Sequence, residues 1–201
     1  MSRSTAHRLA ALLAPVALLL PTAAHAETVV TEDPAGDARA WTYFQEFQFV
    51  EAPEEASVDV IRTAAALGKR RLSVAVHFRD LEVRPRHETL LRIWTPRDTF
   101  DVTAQRLSAR RATASLARQR GEAFGCRGLS VGYDGAADTV ALSVPTRCIG
   151  SPRWVRLGVR SIASPEADPE AQTMTTYFAD DGHRGGIREN SIGKGPRIRR
   201  G

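Results

Sequence analysis

Apolar and polar residues alternate with a period of two along much of this chain, and most cleanly over residues 72–78. There Leu72, Val74, Val76 and Phe78 share one parity against Ser73, Ala75 and His77, which predicts a strand with one buried face. Leu129, Val131 and Tyr133 repeat the pattern, and so do Val140, Leu142 and Val144. Between those two runs lies Asp134-Gly135-Ala136-Ala137-Asp138, whose Asp-Gly pair signals a hairpin turn. Val155, Leu157 and Val159, headed by Trp154, form a further run. Trp41, Tyr43, Phe47 and Phe49 also share one parity, with Phe44 as the exception, and predict a strand with an aromatic face. Strands are expected over 28–31, 89–94, 99–105, 153–162 and 173–178. Residues 58–67 read as a strand candidate of irregular period, with Ala64, Ala65 and Ala66 keeping helix open. In 109–120 alanine and arginine favour helix, whereas Thr113, Ser115 and the flanking strands favour strand; strand is the assignment adopted.

Nine or ten short strands separated by turns predict an all-β fold. The expected architecture is a two-sheet antiparallel sandwich, jelly-roll or immunoglobulin-like. Residues 1–26 stand apart from it. Arg3 and Arg8 precede an apolar stretch over 9–20, and Ala24-His25-Ala26 is a small-x-small cleavage pattern. Together these read as a signal peptide cleaved near Ala26, so the chain is expected to be secreted. No later run is long enough to span a bilayer, so the mature chain is expected to carry no transmembrane segment. Residues 27–181 then form the sandwich domain.

Both cysteines, Cys126 and Cys148, fall in the exported part and flank the 129–144 hairpin, where an oxidising compartment favours their pairing. Closing that loop would stabilise the fold by about 3 kcal/mol. Two cysteines with no nearby histidine cannot complete a zinc site. The chain has 28 basic and 23 acidic residues, a net charge of +5, but the excess is uneven. From Gly182 onward six basic residues (Arg184, Arg188, Lys194, Arg197, Arg199, Arg200) face only Glu189, whereas 27–181 carries about −2. With six glycines and few aliphatics, 182–201 is expected to be a disordered basic tail. Its charge would draw it to an anionic cell surface or envelope polymer. A basic folded surface with interleaved aromatics, as nucleic-acid binding requires, is not expected.

Asp33-Pro34-x-Gly36-Asp37, Val58-Asp59-Val60 at a strand start and Arg79-Asp80-Leu81 after a hairpin form one set of motifs. Val144-Pro145-x-Arg147-Cys148-Ile149-Gly150-x-Pro152-x-Trp154-Val155 forms another. Together they resemble uncharacterised secreted bacterial β-sandwich proteins. More distantly, the opening is similar to family 9 carbohydrate-binding modules and DOMON-type jelly rolls. The resemblance spans most of 29–159 and rests on turns and core positions. It implies a sandwich fold, and those modules bind sugars or haem.

Four constellations could carry chemistry. Asp33, Asp37, Asp59 and Asp80 are candidate calcium ligands, since calcium takes six to eight oxygens; the competing reading is that they cap loops and strand ends. Trp41 and Tyr43 are candidate sugar contacts, because amphipathic rings stack on pyranoses, with Phe47 and Phe49 assigned to the core. Gly128-Leu129-Ser130-Val131-Gly132 matches the nucleophile-elbow pattern, with Asp168 or Asp180 and His183 in triad order. That elbow requires a strand turning into a helix, and here a second strand follows. His87-Glu88 lacks the second histidine of a zinc protease, since Leu91 stands there. His77 faces away from the core, and its pairing with Met174 at a haem or copper site has nothing to fix it.

The expected function is therefore a secreted, non-enzymatic binding module for an extracellular glycan or cell-envelope polymer. The alternative is a structural or protein-interaction domain without a small-molecule site. No nucleic-acid partner is expected, and no cofactor beyond a calcium ion.

Overall fold

The computed structural model describes residues 26–42, 49–82, 86–108, 111–164 and 176–201. The leader through residue 25 and Tyr43, Phe44, Phe47, Asp168 and Met174 lie outside the described residues. No helix among the described residues is long and apolar enough to cross a membrane.

The strands are β1 (Thr28–Glu32), β2 (Arg39–Thr42), β3 (Val50–Glu51), β4 (Val60–Leu67), β5 (Arg71–Phe78), β6 (His87–Trp94) and β7 (Thr99–Ser108). They continue with β8 (Arg111–Arg118), β9 (Ala123–Phe124), β10 (Ser130–Asp134), β11 (Thr139–Pro145), β12 (Trp154–Ala163), β13 (Thr176–Asp181) and β14 (Arg197–Arg199). A 3-10 turn, Thr146–Ile149, follows β11. A five-stranded sheet runs β1-β4-β5-β11-β10, and a nine-stranded sheet runs β3-β2-β13-β12-β6-β7-β8-β9 with β14 on β12. All ladders are antiparallel. The protein is thus an all-β sandwich of two antiparallel sheets.

The inner faces are those the period-two pattern marks. Leu72, Val74, Val76 and Phe78 of β5 meet Leu91 and Ile93 of β6 and Val155, Leu157 and Val159 of β12 in one buried cluster. Each such side chain removed from water stabilises the fold by roughly 1.5–3 kcal/mol. Val140, Leu142 and Val144 of β11 join it, and Cys126–Cys148 form the disulfide beside them, with Cα atoms 5.9 Å apart. The irregular period of 58–67 has a local cause. The β4–β5 register shifts between Val60 and Arg62, so the buried set moves from Val58 and Val60 to Thr63, Ala65 and Leu67. One extra residue in a strand reverses the parity after it.

Two expectations are corrected. Trp41 and Phe49 do not share one strand, because β2 and β3 pair antiparallel with Arg39 opposite Glu51. Phe49 accordingly lies half-buried beside Trp41 rather than between the sheets. Nor are residues 182–201 a disordered tail. Strand β14 pairs with β12, placing Ile198 opposite Val155, and Ile192 and Ile198 are both buried. The Gly195 amide bonds to the Leu157 carbonyl and the Gly201 amide to the Leu67 carbonyl. The segment crosses the outer face of the large sheet at Gly158, where a Cβ would lie 2.4 Å from the Gly193 carbonyl oxygen. Its glycines thus permit close packing rather than disorder.

Candidate metal centre

The chain passes from the small sheet to the large one between β1 and β2, and returns between β3 and β4. Both crossings carry carboxylates to the same end of the sandwich. Asp33 follows β1 directly, its amide bonded to the Ile61 carbonyl at 3.0 Å. Gly36 takes the left-handed conformation, φ +82°, which costs glycine little; its amide donates to Asp59 Oδ2 at 2.7 Å. That carboxylate, from the residue before β4, therefore reaches into the loop carrying Asp33 and Asp37. Asp180 enters from β13, with Oδ2 accepting the Val60 amide at 2.8 Å and Oδ1 the Asp181 amide at 2.7 Å.

One oxygen each from Asp33, Asp37 and Asp180 lies within 4.8 Å of the others. Oxygens this close need move by at most a few tenths of an ångström to share one calcium ion at about 2.4 Å. Asp59 stands behind them, wholly buried. Its Oδ2 also meets Arg79 Nε at 3.2 Å, but its Oδ1 is buried without a hydrogen-bond donor, as are Asp33 Oδ2 and Asp37 Oδ1. An ionised carboxylate only accepts, so three donorless buried oxygens require protons or a cation to offset their lost hydration.

The electrostatics agree. Burial, then the charges of Asp180, Asp37, Asp181 and Asp59, push Asp33 up from 3.8 to about 9. Burial and then Asp37 lift Asp180 to about 8, against the lowering effect of its two amides. Asp59 is raised by burial, and the Gly36 amide and Arg79 oppose that rise. Asp181, next in the chain, faces the other way and accepts the Gly193 amide at 2.6 Å. The bond pins the C-terminal segment beside the cluster.

Three of the four acids expected to hold calcium thus come together, and one does not. Asp80 is exposed beyond the end of β5 and lies outside the cluster; Asp180 takes its place. The available signal was a carboxylate pair closing a strand, Phe178-Ala179-Asp180-Asp181. Nothing local, however, shows that β13 runs beside the 33–37 loop.

The aromatic candidates fare differently. Trp41, on the outer face of β2, stacks on Tyr177 of β13 with ring centroids 5.2 Å apart and meets Phe49 edge-on at 5.6 Å. One face of its indole is thus already covered. Ser130 opens β10 at one edge of the small sheet. His183 sits beside Val29, Thr31 and Thr63 of β1 and β4, at the opposite edge. The two side chains do not form a nucleophile–base pair. His87 is buried, with Nε2 3.1 Å from both the Ser57 carbonyl and Ser161 Oγ. His77 pairs across strands, Nδ1 to Thr139 Oγ1 at 3.0 Å.

No family model, curated protein or solved structure matches this chain.

Proposed function

We propose that this protein is a non-enzymatic binding module working outside the cytoplasm, its crossing loops ordered by a divalent cation. The ion is calcium, held by Asp33, Asp37 and Asp180 with Asp59 behind them. The observation that carries this reading is the set of donorless, buried carboxylate oxygens gathered where the two crossings meet β13. An all-oxygen donor set suits a hard cation, and backbone carbonyls or water would complete the shell. Export is supported by the disulfide and by the leader-like opening of the sequence. The non-enzymatic reading is supported by the separation of Ser130 from His183 and by the burial of His87.

Calcium titration followed by thermal unfolding tests the site. A ligand at ten times its dissociation constant stabilises by about 1.4 kcal/mol, or about 3–6 °C for a domain of this size. Chelator-stripped protein is expected to gain that shift with about 10 mM calcium. Asp33→Asn, which removes a carboxylate whose Oδ2 takes no hydrogen bond, is expected to melt at least as high as wild type in chelator yet gain nothing from calcium. An unshifted midpoint in wild-type protein shown to be metal-free would rule the site out.

A further inference from the structure

The folded C-terminal segment moves most of the chain's excess positive charge onto one face. On the outer side of the large sheet, Arg156 of β12 stands opposite Trp94 of β6 on one flank and Arg197 of β14 on the other. One step along, Trp154 stands opposite Arg199. Lys194 lies over the Trp94 ring at 4.4 Å, and Arg197 over the Trp154 ring at 4.4 Å. Arg153 adjoins them, exposed like Lys194, Arg197 and Arg199. Among the described residues none of these five cations is ion-paired. The neighbouring Arg92 is neutralised by Asp101 at 2.8 Å, and Asp98, in the turn before β7, lines a cleft together with Arg153.

Like charges directly opposite across a ladder are destabilising, and here Arg156 faces Arg197. Two indoles hold Lys194 and Arg197 in place through their ring faces, so these two cations have less side-chain freedom to lose on binding. Along a strand, same-face positions are about 6.6 Å apart, and neighbouring strands are about 4.8 Å apart. The ladder therefore sets Arg156, Arg197 and Arg199 at short, regular backbone spacing. An anion bridging Arg156 and Arg197 would relieve their repulsion.

We infer that this face binds an acidic polysaccharide, its carboxylates engaging Arg156, Arg197, Arg199 and Lys194. Planar guanidinium forks match planar carboxylates in two-point contacts. The half-buried indoles of Trp94 and Trp154 lie beneath two of these cations and give the face an apolar floor between successive charges. An anionic bilayer would call for apolar side chains to insert beside the cations. Among the described residues the large exposed ones are Val30, Val50 and Phe124, and none belongs to this group. The inference deepens the binding-module reading and rests on it for an extracytoplasmic ligand, but it does not depend on the calcium site.

The test is retention of the mature protein by immobilised hyaluronate, a uronate polymer, against dextran, its neutral counterpart. Wild type is expected to bind hyaluronate, to release with rising salt and to ignore dextran. A triple variant, Arg156→Gln with Arg197→Gln and Arg199→Gln, should lose at least tenfold in affinity. Lys194→Gln alone, which leaves every strand pairing in place, should lose about threefold. A control pair, Arg62→Gln with Arg111→Gln, on strands away from this face, should bind as wild type does. Thermal melts of each sample with and without calcium show that it is folded and score the metal site separately. Equal affinity for hyaluronate, duplex DNA and phosphatidylglycerol vesicles would mean undirected charge attraction and overturn the inference. So would hyaluronate binding that the triple variant retains, or no binding by a wild-type protein whose calcium shift is intact.

Discussion

At the scale of single residues, the protein sets two kinds of titrating group against each other. Asp33 and Asp180 stay protonated in the folded chain up to about 9 and about 8, against an ordinary 3.8. Between those limits the folded state binds more protons than the unfolded one, so their contribution to stability falls as pH rises. His87 and His183 behave oppositely. Burial lowers both from 6.5 to about 4, so the unfolded state takes up protons first on acidification and their contribution rises with pH over that window. Below pH 6.5 the two effects oppose; above it the carboxylates act alone. The melting temperature in chelator is therefore expected to change little between pH 4.5 and 6 and to fall from pH 6.5 to 8.5. Calcium should abolish that fall, because the ion replaces the protons the cluster would otherwise need. Calorimetry across this range, with and without calcium, checks both statements, and a midpoint that climbs with pH in chelator would contradict the assignment.

At the scale of elements, the best-read parts are those whose information is local. Strand β5 and the β10–β11 hairpin follow from alternation and a turn, and the cysteines bracketing the hairpin fall within bonding distance once it forms. Reduction of Cys126–Cys148 is expected to cost about 3 kcal/mol by freeing a loop of 22 residues' separation. Denaturant unfolding with and without reductant measures this, and a cost below about 1 kcal/mol would show that the hairpin holds without its tie. Elements that depend on an irregularity are read less well. The β4 bulge reverses parity within a single strand, and the antiparallel pairing of β2 with β3 keeps Trp41 and Phe49 off a common strand although their spacing alone looks continuous. The Asp33–Asp37 half of the candidate centre was visible as a motif. The Asp180 half was not, since 143 positions separate Asp37 from Asp180 and only the β2–β13 pairing brings them together.

At the scale of the whole molecule, the C-terminal segment changes what composition implies. Gly-rich and basic, it has the makeup of a solvated extension, yet Arg197-Ile198-Arg199 is itself a short polar–apolar alternation. In the fold, Ile198 faces Val155 and closes the sandwich beside β4. The charge that looked like a property of a free tail becomes a property of a folded surface with Trp94 and Trp154 among its cations, which corrects the expectation that no basic surface with interleaved aromatics forms. Native trypsin digestion separates the two cases, since arginine and lysine make every part of this segment a potential cut site. Cleavage after Arg197 is expected to be at least tenfold slower than in denatured protein. Its loss at the denatured rate would return the segment to solvent.

Alternation, turn residues and two cysteines by themselves determined that this chain makes an antiparallel sandwich with a tied hairpin, because each of those signals acts over a few neighbouring residues. Which aspartates share a site, which cations share a face and whether the last twenty residues pack were decided only by tertiary structure. Those outcomes depend on which strands lie side by side, and strand order is set by the burial of the whole core rather than by any one segment.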